Sequence, residues 1–167
     1  MLTATIKKLH TSILVTPLLL SIFTGLVFAT PAIAAEDLPF KGTLQALETH
    51  EFDFPNQTLF VTGNGSGNAT QLGRYSVEYH VTVSLVSGGG PASIRLESAN
   101  GDAIFATGFG QGMPTEIADV SMIVETYTMT DGTGRFAGAS GHFTVVRLVN
   151  RTTGVTSGTF DGNIVLP

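Results

Sequence analysis

The chain has 167 residues, 43% of them apolar and 13% charged, with 20 Gly, no Cys and a formal charge of −5. The lack of cysteine excludes a disulfide framework, a thiolate metal site, a cysteine nucleophile and a lipidated-cysteine anchor. The acidic balance argues against nucleic acid as a partner, which needs clustered Lys and Arg, and the mean hydropathy of +0.29 fits one globular domain rather than a disordered tail.

The first segment is unlike the rest. Lys7 and Lys8 precede a nearly continuous apolar run from Ile13 to Ala29, and Pro31 then disfavours continuing a helix. Ala32-Ile33-Ala34 followed by Ala35-Glu36 supplies the small residues at alternate positions that signal peptidase requires. Residues 1–34 are therefore predicted to be a secretory signal peptide, cleaved after Ala34 or Ala35, and the protein to be secreted or periplasmic. An uncleaved anchor is the alternative, because the run is at the short end of what spans a bilayer. The remaining segment, 35–167, carries Lys41, Arg74, Arg95, Arg135, Arg147 and Arg151 against all 13 acids, a formal charge of −7. That charge disfavours anionic membranes and nucleic acid further.

From Leu44 onward the apolar residues alternate with a period of two between glycine-rich breaks, and no helical spacing is sustained. Strands are predicted at 43–49, 58–62, 75–85, 92–98, 103–107, 117–130, 142–149 and 155–166. GNGSGN (63–68), SGGGP (87–91), SANGD (98–102), GFGQGMP (108–114), DGTG (131–134) and NRTTG (150–154) read as the connections. Such short connections favour antiparallel pairing, since parallel pairs need long crossovers. About eight strands in one domain suit a small barrel or a sandwich.

The segment Thr130 to Gly141, TDGTGRFAGASG, carries Gly132, Thr133, Gly134, Phe136, Ala139 and Gly141 in the pattern G-T/S-G-x-F-x-x-A-x-G. It resembles the motif of plant allene oxide cyclases and dirigent proteins, and the closing strand around Phe160-Asp161-Gly162-Asn163-Ile164 sits where that barrel ends. Secreted bacterial proteins of the same superfamily are similar. The resemblance implies an eight-stranded antiparallel barrel with an apolar cavity, often assembled as a trimer, so a homo-oligomer (trimer or dimer) is expected. Gly132, Gly134, Phe136, Gly138 and Gly141 then form a structural motif: glycines permit close approach and positive φ, and the Phe plugs the barrel end.

Charges are costly to bury unless paired, so the uncharged parity of each strand is expected to face inward. That choice places Tyr75, Val77, Tyr79, Val81 and Val83 inside, with Ile94 and Leu96, then Val120, Met122, Val124, Thr126 and Thr128, then Thr144, Val146 and Leu148, and last Phe160, Ile164 and Leu166. Tyr75, Tyr79, Met122, Thr126, Val146 and Phe160 are the expected ligand-cavity residues. Glu78, His80, Arg95, Glu97, Asp119, Glu125, Arg147 and Asp161 fall outside, with Glu125 and Arg147 as an exposed cross-strand pair.

One carboxylate breaks the pattern. Glu48 shares parity with Leu44 and Ala46, which makes it the catalytic candidate; a frayed strand end would instead leave it on an exposed rim beside His50 and Glu51. Early-strand acids assist the rearrangement in allene oxide cyclases, although Glu48 is similar only in placement. His50, His80 and His142 have no metal-ligand spacing, so neither a metal nor another cofactor is expected. The glycine-rich segments lack the strand-to-helix context of phosphate loops, and no G-x-S-x-G elbow is present. Three classes stay open: a secreted barrel enclosing a small apolar molecule without chemistry, a cyclase or dirigent-type enzyme steering a reactive intermediate, and a structural or surface-interaction protein.

Overall fold

The structure, a computed structural model, describes residues 36–167. The predicted signal peptide at 1–34 lies outside the described residues. Among the described residues nine strands form the fold: β1 (Glu36–Pro39), β2 (Gly42–Asp53), β3 (Thr58–Ala69), β4 (Gly73–Ser84), β5 (Gly89–Ser98), β6 (Ala103–Pro114), β7 (Val120–Gly132), β8 (Ser140–Asn150) and β9 (Val155–Leu166). Each of β2 to β9 pairs antiparallel with the next, and β9 closes on β2, giving an eight-stranded up-and-down barrel. The outer strand β1 continues the β2 line along β9 in the same register, with Pro39 opposite Asn163 and Gly42 opposite Phe160. Closure removes the unpaired edges that an open sheet would expose.

Two predicted connections are strand. GNGSGN lies within β3 and GFGQGMP within β6, where glycine replaces a side chain on the inner face rather than making a turn. A Cβ on Gly63 would run into the Tyr79 ring, and one on Gly67 would sit 2.6 Å from the Tyr75 hydroxyl. The glycines of β3 thus leave room for the two tyrosines of β4 to lie across the interior.

The larger correction concerns β7 and β8. Thr126 and Thr128 are exposed, Val146 is 43% exposed, Leu148 also faces solvent, and Met122, Val124 and Thr144 share their outward parity. Glu125, Tyr127 and Met129 of β7, with Phe143, Val145, Arg147 and Val149 of β8, point inward and are buried. Both strands are apolar on both faces, so the position of the charges decided the expected register. The charges go inside because they pair with one another there, which offsets much of their desolvation.

The two barrel ends differ. At the end carrying the β3–β4, β5–β6 and β7–β8 connections, Phe40, Tyr75, Tyr127, Phe143 and Phe160 fill the interior, with Phe40–Phe143 centroids 5.3 Å apart and Tyr127–Phe143 stacked at 5.2 Å. Phe136, in the 3₁₀ turn Gly134–Phe136, is fully buried in the same core. Gly134 and Gly138 flank it at φ +57° and +79°, the left-handed region that suits glycine. Gly132 closes β7 with its backbone against Phe136, and Gly141 opens β8 against the Asn163 carbonyl. Among the described residues no helix is long and apolar enough to cross a membrane.

Candidate functional site

The other end of the barrel is open. A cavity of about 280 Å³ is walled by Leu59, Val61, Val81, Val83, Ile123 and Val149. Gly88, Gly110 and Gly112 also border it, together with Met113 and Pro114. Strand alternation explains the wall: Leu59 and Val61 of β3 face Val83 and Val81 of β4 on the inner side, and the same parity continues to Phe52 of β2 at the rim. Phe52 and Phe54 are exposed there and stack at 5.4 Å.

Glu48, Glu125 and Arg147 form the floor, with relative exposures of 7%, 2% and 3%. Arg147 donates from Nε to Glu125 Oε2 at 3.0 Å and from Nη2 to Glu125 Oε1 at 2.9 Å, a two-pronged fork. Its Nη1 donates to Glu48 Oε1 and, at 3.2 Å, to Thr156 Oγ1. The Tyr79 hydroxyl donates to Glu48 Oε1 at 2.7 Å, and the guanidinium carbon lies 4.9 Å from the centroid of the Tyr79 ring. On the cavity side, His50 Nε2 is 3.0 Å from Glu48 Oε2.

Electrostatics follow from this packing. Burial alone would lower the Arg147 pKa, but the hydrogen bonds to Glu125 and the charges of Glu125 and Glu48 outweigh it and hold the guanidinium above its ordinary value. Arg147 is therefore a permanent cation. Burial, reinforced by the neighbouring carboxylates, pushes the Tyr79 and Tyr127 phenols up, so both stay neutral and Tyr79 remains a donor. The Tyr127 hydroxyl is buried with no hydrogen-bond partner among the described residues.

Of the residues expected to line a ligand cavity, Tyr75, Tyr79 and Phe160 are inside the barrel but beneath or beyond the floor, and none borders the open cavity. Met122, Thr126 and Val146 are on the outer wall, for the reason given above. Glu48 sits in mid-strand within β2, buried rather than frayed, and it does border the cavity. His80 is exposed with Nε2 3.4 Å from Glu78 on the outer wall, and His142 is also exposed. Among the described residues no group of His, Asp and Glu is placed to hold a metal ion.

Sequence reasoning missed Glu125, Arg147 and the glycines of β6. A signal was present: Glu125 shares parity with Tyr127, and Arg147 with Phe143, so an aromatic-weighted choice of face would have put the charges inside. Comparison with protein-family models, curated proteins and solved structures finds no match to this chain.

Proposed function

We propose that this barrel binds a small molecule with an apolar body and one polar end, inserted through the open end. The carrying observation is an apolar wall above a polar floor whose members are fixed by one another. Pockets that combine a mostly apolar lining with a few positioned polar groups are the usual small-molecule sites. Each Glu125 oxygen accepts one bond, from Arg147 alone, and so has room for a donor supplied by a ligand. The leader-like segment and the motif resemblance support a secreted or periplasmic barrel of the allene oxide cyclase and dirigent kind.

Titration calorimetry with octan-1-ol tests the binding reading. Saturable binding that is abolished by Ile123→Trp, which fills the cavity, is the expected result. Absence of binding, or binding indifferent to that substitution, overturns it.

A second reading rests on the Glu48–His50 pair, which is hydrogen-bonded and borders the cavity. It makes the barrel a cyclase-type isomerase in which this pair moves a proton on an enclosed substrate. Turnover of an epoxide or enone probe that disappears in Glu48→Gln, with binding retained, would establish it.

A further inference from the structure

We infer that the polar end of the bound molecule is a cation, of the class of a primary alkylammonium. The inference rests on the binding reading above and specifies its ligand. The floor sets two buried carboxylates, Glu48 and Glu125, against one guanidinium, Arg147. Of the other ionisable groups facing it, the Tyr79 and Tyr127 phenols are held neutral, and His50 already directs Nε2 to Glu48. Arg151, at the cavity mouth, pairs with Asp119 at 3.7 Å; both side chains are more than half exposed and balance each other in solvent. With histidine counted as neutral, as at pH 7, the floor carries a net charge of −1, which favours an added cation over an added anion at the same position.

The acceptor for that cation is Glu125. Each of its oxygens receives one bond, both from Arg147, whereas Glu48 already receives Tyr79, Arg147 and His50. A carboxylate oxygen has room for a second donor. The strand opposite supplies the space: Gly110 faces Glu125 in the β6–β7 register, and a Cβ there would lie 3.0 Å from Glu125 Cγ and 3.5 Å from Oε1. Gly110 and Gly112 both border the cavity, so the glycine-rich stretch of β6 leaves one flank of the carboxylate uncovered. An ammonium group carries three donors on a compact charge and can give one of them to Glu125 Oε1, and the Val, Leu and Ile wall takes its alkyl chain.

Three probes with one tail and different heads test the charge: octylamine, octan-1-ol and octanoate, titrated at neutral pH. Octylamine is expected to bind at least about tenfold more tightly than octan-1-ol, and octanoate not to bind. Equal or tighter binding of the alcohol or the acid overturns the cation while leaving the cavity reading intact; failure of all three removes the cavity reading itself. Glu125→Gln should bring the ratio of amine to alcohol affinity close to one. Gly110→Ala, which covers the carboxylate without removing a charge, should weaken the amine more than the alcohol. An unchanged preference in a folded form of either variant counts against Glu125 as the acceptor.

Discussion

Arg147 on β8 grips both carboxylate oxygens of Glu125 on β7 from inside the barrel, across a diagonal of the antiparallel ladder in which Glu125 faces Val145 and Arg147 faces Ile123. With Glu48 on the far wall, this pair divides the interior into an aromatic half and an open half. A buried ion pair of this kind is weak evidence for stability, but breaking it is costly.

Arg147→Met should destabilise the barrel by about 3–5 kcal/mol, because it leaves the buried Glu125 carboxylate without a partner and Glu48 with only Tyr79 and His50. Replacing all three charges, as Glu48→Leu, Glu125→Leu and Arg147→Met together, should recover most of that loss. Urea denaturation of the single and triple variants measures both. A single variant as stable as the parent would mean that the charges face solvent.

Only three tyrosines are present, Tyr75, Tyr79 and Tyr127, and burial raises all three phenols. The sign follows from the folded state holding the proton more tightly than the unfolded chain. The stabilisation is complete below the ordinary phenol value of about 10 and is lost as pH rises above it. Tyrosinate absorbance should therefore show no step near pH 10 and should emerge together with loss of the β-sheet circular dichroism signal. A smooth titration near pH 10 with the sheet intact would contradict the burial.

Gly63→Ala should cost about 1–3 kcal/mol, since its methyl meets the Tyr79 ring. Combining it with Tyr79→Leu should be less damaging than the sum of the two single changes. Thermal denaturation of the three variants gives the coupling, and strict additivity would show that the ring lies elsewhere.

Much of the fold was legible because β4 is unambiguous: Tyr75, Val77, Tyr79 and Val81 alternate with Ser76, Glu78, His80 and Thr82, and the buried face follows at once. The motif glycines and Phe136 announced a tight, plugged connection for the same local reason. β7 and β8 were not legible this way. Met122 and Val124 compete with Ile123, Tyr127 and Met129 for the interior, and a rule that keeps lone charges outside chose the wrong face. The rule fails because Glu125 and Arg147 are not alone, and their partner Glu48 is contributed by a strand about a hundred residues away in sequence. The strand character of GNGSGN was hidden similarly, since its glycines are explained only by the tyrosines of the neighbouring strand.

Phe136→Ala should destabilise by about 3–5 kcal/mol through the void left in the aromatic half. Binding of octan-1-ol at the other end should be unchanged under conditions where the variant stays folded. Loss of binding with the fold intact would show that the two halves are not separate.

The most direct test of the open cavity is a methyl NMR titration with octan-1-ol. Shifts should concentrate on Leu59, Val61, Val81, Val83, Ile123 and Val149, which wall the cavity, and leave Ile104 and Ile164 in the filled core unmoved. Shifts confined to the outer-wall methyls of Val124, Val146 and Leu148, or no saturable shift at all, would contradict a ligand-binding interior.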